Sequence, residues 1–246
     1  MKLSGEKIMP ILVQHRQIVL PGQLLAEGKD VEVKAQHTIY RIGDKYYSSV
    51  IGLTDVQNGK RLSVIALEGF YFPKIDDIVV GMIIDTGLTS WTVDIRSPYL
   101  AILHASDVLS KPFNPLKDNL RKHLDIGDLV LAKIIQFDRT RSPVLTVKGK
   151  GLGKITKGVI VEIIPSRVPR VIGRKGSMIN MVKDETKCQI TIGLNGRIWI
   201  IGPAPTHEEV AILAIKKIER ETHISGLTDR VKAFIREELK KRGLAK

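Results

Sequence analysis

Apolar residues over the first 150 positions fall in short runs, each cut by turn-forming residues, rather than at the three-to-four spacing of a helix. Ile18-Val19-Leu20 stops at Pro21-Gly22, and His37 to Ile42 stops at Gly43-Asp44. Tyr46 to Ile51 and Leu62 to Leu67 flank Asn58-Gly59, a pair that accepts positive φ and favours a tight hairpin turn. These runs predict a small all-β domain over residues 1–72, ending where the punctuation changes at Phe70-Tyr71-Phe72-Pro73.

A second series follows over 73–150. Asp77 to Ile84, Trp91 to Arg96 and Leu100 to Ala105 precede a polar insertion at Ser110 to His123, and Gly127 to Ile135 and Val144 to Val147 come after it. Five short strands in so little chain predict a closed Greek-key barrel of the OB type, because closure removes the exposed edges of an open sheet. Lys148-Gly-Lys-Gly-Leu-Gly-Lys154 reads as a linker: it fails the phosphate-loop test, since Lys154 is followed by Ile155 rather than Ser or Thr.

Over 151–246 the period becomes mixed. A strand at Gly158 to Ile164, short helical turns around Pro165 and Pro169, a helix after Gly176, strands at Gln189–Ile192 and Arg197–Ile201, and a long helix after Pro205 give the order strand, helix, helix, strand, strand, helix. Asn195-Gly196 supplies a hairpin turn between the two later strands, and Val231, Phe234, Ile235 and Leu239 mark a last helix with a core-facing stripe.

Charge changes this picture from architecture towards partner. The net charge is +13, and residues 151–246 carry 19 Lys or Arg against 10 Asp or Glu, so most of the excess lies in the last section. A field of this sign attracts polyanions. The single cysteine, Cys188, excludes an intrachain disulfide framework and a thiolate zinc cluster, which predicts a reducing setting. No run approaches the roughly 20 apolar residues of a membrane span, and Met1 to Pro10 lacks the apolar block of a secretory signal, so a cytoplasmic protein without membrane association is expected.

The residues richest in chemistry are Ile172-Gly173-Arg174-Lys175-Gly176. Two glycines flanking two cations permit a tight turn at which a sugar-phosphate backbone can approach main-chain N–H groups. Set between two helical stretches in the order given above, this tetrapeptide resembles the GXXG loop of a type I KH domain, which clamps about four nucleotides of single-stranded RNA. The resemblance implies that Gly173 and Gly176 admit the backbone, Arg174 and Lys175 meet phosphates, and Ile172 supports bases, with Arg167 and Arg170 extending the basic approach.

Leu103-His104-Ala105-Ser106 is similar to the strand end of an S1 domain, an OB-fold RNA binder, which would put His104 on the RNA face. The S1 family carries aromatics after its first strand, whereas this chain reads Asp85-Thr86-Gly87-Leu88-Thr89. Aromatic stacking supplies about 1–3 kcal/mol per base in single-strand binders, so its loss favours backbone tracking. Trp91, Arg96, Arg121, Lys122, Lys133, Arg139 and Arg141 are candidates for that tracking, Trp91 equally for the core. The whole arrangement is multidomain: a small all-β N-terminal domain, an S1-like OB-fold barrel and an α+β type I KH domain. With Leu20-Pro21-Gly22 near its start, it resembles the KH-bearing cap subunit of the archaeal exosome. That resemblance implies an N-terminal domain anchored to a hexameric ring of RNase PH-like subunits, three copies of the cap on the ring, and no cofactor.

An enzyme would need a convergent acid, base, nucleophile or metal site. The six histidines, His15, His37, His104, His123, His207 and His223, show no helical i, i+4 pair, and Asp76-Asp77 point to opposite faces of an extended chain. A non-catalytic RNA binder is the expectation. The alternatives are a free-standing ribosome or translation factor, and the RNA-binding part of a phosphorolytic exoribonuclease, whose catalytic domain would have no residues left to build it.

Overall fold

A computed structural model describes residues 11–28, 31–33, 38–59, 61–109, 119–221 and 226–243. His37, His223, the first ten residues and positions 110–118 of the polar insertion lie outside them. The chain forms two compact units, residues 1–69 and 70–246.

In the first unit, β1 (Ile18–Val19), β2 (Leu24–Glu27), β3 (Glu32–Val33), β4 (Ile39–Ile42), β5 (Lys45–Ser48), β6 (Gly52–Gln57) and β7 (Arg61–Ala66) form two small sheets, ordered β1-β6-β7-β3 and β2-β5-β4. Asn58 (φ 52°) and Gly59 (φ 64°) both adopt the left-handed conformation expected of a tight turn between β6 and β7. Val19, Leu25, Leu62 and Val64 fill the core. Thr54 draws the entering chain onto β6: its hydroxyl donates to Gln14 O at 2.5 Å and accepts from the Gln17 N–H at 3.0 Å.

Near the start of the second unit, Tyr71 is buried in the barrel core and donates its hydroxyl proton to Asp77 at 2.5 Å. The barrel strands are β8 (Ile78–Thr86), β9 (Ser90–Asp94), β10 (Ala101–His104), β11 (Leu129–Asp138) and β12 (Arg141–Thr146), with a four-residue helix α1 (Ala105–Val108) after β10. The sheet closes because β11 pairs with β8 through its first half and with β12 through its second. Where β12 leaves off, β13 (Gly153–Ile155) takes over against Leu129–Leu131, so the end of the expected linker is a sixth strand. Trp91 belongs to the core: it is fully buried and its Nε1 donates to Leu124 O at 2.9 Å.

The remainder is β14 (Val159–Glu162), α2 (Val168–Ile172), α3 (Ser177–Thr186), β15 (Gln189–Ile192), β16 (Arg197–Ile201), α4 (Pro205–Arg220) and α5 (Leu227–Lys241). The antiparallel sheet runs β14-β16-β15 and is covered by helices that bury Val182, Val210, Ala214, Ile218, Val231 and Ile235 against it. Trp199 is half-buried on β16, with Nε1 donating to Lys157 O at 2.8 Å. The turn between β15 and β16 spans Gly193–Gly196, four residues rather than a two-residue Asn-Gly turn. Only Gly196 (φ 86°) is left-handed there, because Asn195 is drawn into the barrel.

Candidate nucleic-acid interface

The Gly173–Gly176 loop is built by the ends of two helices. Val168 and Val171 anchor α2 in the core, and Gly173 ends it at φ 74°, ψ 176°, with its N–H on Pro169 O at 3.0 Å. A Cβ on Gly173 would lie 2.8 Å from both the Cβ and the backbone N of Met178, so only glycine lets α3 start this close. Lys175 (φ 50°) and Gly176 (φ 79°) continue in the left-handed region, which turns the loop through a single 3-10 turn into α3. No side chain caps α3, leaving its first-turn N–H groups directed at the loop, where the helix dipole favours an anion.

Arg170, Arg174 and Lys175 are exposed and have no acidic partner among the described residues. Ile172 is half-buried and packs beside the core, giving the loop an apolar flank, and Arg167 is half-buried one turn upstream. Five of the sequence-derived positions, Arg170, Ile172, Gly173, Arg174 and Lys175, thus lie with Gly176 on the last turn of α2 and the turn that joins it to α3.

On the barrel, His104 ends β10 exposed, opposite Ser90 in register. Leu88, 84% exposed, projects from the adjoining loop where an aromatic was missing from the sequence. Leu120 and Leu124 are buried in the barrel core, and the Trp91–Leu124 bond ties their turn to β9, bringing the exposed Arg121 and Lys122 to the end of the barrel that carries His104. Neither has an acidic partner among the described residues, and Asn119 shapes their turn by accepting from the Arg121 N–H at 3.0 Å. The other candidates are distributed differently. Lys133 pairs with Asp76 at 2.6 Å, and Arg139 lies over the Phe72 ring at 5.7 Å.

The sequence profile described as exosome RNA binding protein RRP4 N-terminal domain matches residues 16–68, and that of a KH domain matches 158–206. The exosome complex component Rrp4 of Ignisphaera aggregans is 49% identical over 98% of this chain and 98% of its own. That of Saccharolobus solfataricus is 48% identical over 94% of this chain and 92% of its own. The chain belongs to the Rrp4 family. A crystal structure of a candidate exosome complex RNA-binding protein superposes with TM-score 0.68 at 48% identity, covering 71% of this chain and 99% of the other.

Within this Rrp4-family chain, the structure separates Arg96 from the other candidates. Its Nη1 donates to Ile163 O at 3.0 Å and its Nε lies 3.8 Å from Glu162, so its guanidinium is held between barrel and KH domain. Sequence reasoning missed Asn195 and Arg197, which sit at the same junction. An Arg four residues after Gly193 in a β-hairpin resembles any surface cation, and the sole hint was an Asn-Gly pair whose turn is longer than that pair needs.

Proposed function

We propose that this chain is a non-catalytic cap that captures single-stranded RNA in the cytoplasm and guides it to a hexameric ring of RNase PH-like exosome subunits, three caps to a ring. The observation that carries the RNA half is the Gly173–Gly176 loop: two exposed cations without acidic partners among the described residues, in front of a ten-residue helix that no described side chain caps, in a chain of the Rrp4 family. The barrel end with His104, Arg121 and Lys122 adds a second basic surface for the strand.

Ring anchoring draws on the first unit. Ile18, Leu53 and Ile65 are cross-strand neighbours on one face of β1-β6-β7, and Ile18 and Ile65 are about 60% exposed. An exposed apolar row of this kind suits a protein partner. The non-catalytic reading draws on the carboxylates considered for chemistry: Asp76 is paired with Lys133, and Asp77 accepts from Tyr71.

The test is RNA decay by a reconstituted RNase PH-like ring, with and without this protein, and by the protein alone. Tighter capture and more processive decay are expected only when both are present. Decay by the protein alone would overturn the non-catalytic role, and absence from the ring would favour a free-standing factor. Ile65→Glu is expected to abolish ring association and leave RNA affinity unchanged.

A further inference from the structure

The two sheets of the first unit share one core. Val19, Leu62 and Val64 enter it from β1-β6-β7-β3, and Leu25, Ile39 and Tyr46 enter it from β2-β5-β4, so the outer faces of the two sheets look away from each other. Their chemistry differs. Aliphatic Ile18, Leu53 and Ile65 make the first, the face offered above to the ring. The second is aromatic: Leu24, Tyr47 and Tyr40 lie side by side in register across β2, β5 and β4.

Tyr40 and Tyr47 stack, with ring centroids 5.5 Å apart and planes 19° from parallel. β4 is the edge of its sheet among the described residues, so the row ends at Tyr40, which is 41% exposed. Ile42, two residues further on the same face, is 63% exposed. A tyrosine kept for packing sinks its ring in the core, as Tyr46 does. Neither Tyr40 nor Tyr47 does so, and neither hydroxyl has a hydrogen-bond partner among the described residues. Lys45, opposite Ile42 in register, pairs with Glu27 at 3.5 Å. Both groups are about half exposed, and a pair of that kind holds its ammonium weakly enough for a phosphate to compete.

We propose that the Tyr40–Tyr47 stack is a nucleobase platform. An unpaired base of single-stranded RNA extends the stack on the open side of Tyr40, against Ile42, with a neighbouring phosphate near Lys45. The proposal rests on the RNA-binding reading above and adds the N-terminal unit to the RNA surface. Two tyrosines of about 150–250 Å² each fall short of the roughly 800 Å² per partner that a stable protein contact buries, yet they match one base. Anchoring through the opposite, aliphatic face leaves this one uncovered. Stacking accepts any base, because every base has a π face, and it supplies what the segment after β8 lacks.

The experiment has two parts. Single-stranded RNA carrying 5-iodouridine, a base that forms photo-adducts with aromatic rings stacked on it, is irradiated on the unaltered full chain, alone and with the ring, and the adducts are mapped by mass spectrometry. An adduct at Tyr40 is expected in both. Bound RNA that gives no adduct at Tyr40, wherever the label is placed along the strand, would overturn the proposal, whether or not any variant folds.

Affinity is then measured for oligoadenylate and for an oligomer of equal length whose sugars carry no bases. Tyr40→Leu should weaken oligoadenylate about tenfold and leave the abasic strand within about twofold, while Tyr40→Phe, which keeps the ring, should bind both as the unaltered chain does. Parallel loss on both strands, or unchanged affinity for oligoadenylate in Tyr40→Leu, would overturn the proposal. Loss of ring association in Tyr40→Leu with RNA affinity intact would also overturn it and give this face to a protein. Absence of RNA binding by the unaltered chain would sink the RNA reading itself, and the platform with it.

Discussion

Gly173 and Gly176 are both left-handed, yet the space beside them differs. A Cβ at Gly173 meets the backbone and Cβ of Met178 at 2.8 Å, whereas at Gly176 it meets the end of the flexible Asn180 side chain at 3.4 Å. Gly173→Ala is therefore expected to cost about 2 kcal/mol and Gly176→Ala about 1 kcal/mol, the first combining positive φ with a backbone clash. Thermal melts of the two variants check the order. Gly173→Asp adds charge repulsion to crowding at the place a phosphate would occupy, and its RNA affinity should fall while the fold persists; unchanged affinity would remove the loop from the RNA surface. Asn195→Ala acts by what it leaves behind, since the buried carbonyls of Val80 and Ile95 lose donors. The expected cost is about 2–3 kcal/mol, read as a lower denaturant midpoint with unchanged slope.

Among the elements, α5 lies beyond the residues matched as a KH domain and is held on by two devices. Leu227, Val231, Ile235 and Leu239 form its buried stripe, and Glu185 of α3 accepts from Arg236 with both oxygens at 3.0 Å while pairing with Lys232 at 3.3 Å. The hydrogen bond from Arg236, aided by Lys232, holds the Glu185 carboxyl below the ordinary carboxylate range. A depressed carboxyl pKa adds stability above the unfolded-chain value and loses it as pH falls through the folded one. Glu185→Gln should therefore melt below the unaltered protein at neutral pH, and the gap should close in acid below the carboxylate range. A gap that persists there would assign the effect to packing.

What the sequence disclosed about these elements follows how local each signal is. The Asn58-Gly59 hairpin, the five barrel strands and the α5 stripe are set by neighbouring residues, and they appear where the pattern puts them. The GXXG surface was legible for the same reason. The pairing of β13 with β11, the length of the Gly193–Gly196 turn and the engagement of Arg96 depend on partners tens of residues away in the chain, 24 for the Val130–Lys154 pair and 115 for the Val80–Asn195 contact. Periodicity carries no information about such partners. Trp91 was undecided between core and platform because its alternation fits both, and the bond to Leu124 O made it core.

For the molecule as a whole, the basic excess of the last section should appear as a salt dependence of RNA binding. Each phosphate neutralised on a single strand contributes about 0.7 to the slope of log affinity against log salt. If Arg174 and Lys175 each meet one phosphate, the double variant Arg174→Gln, Lys175→Gln should lower that slope by about 1.4. An unchanged slope would move the phosphate contacts elsewhere. The two tryptophans bear on the same scale: Trp91 is sealed in the barrel and Trp199 half-exposed on the KH sheet. Each domain of the second unit thus carries its own intrinsic fluorophore, blue-emitting in one and redder in the other. Whether barrel and KH domain melt together or in sequence can be watched by emission colour alone, in the unlabelled protein.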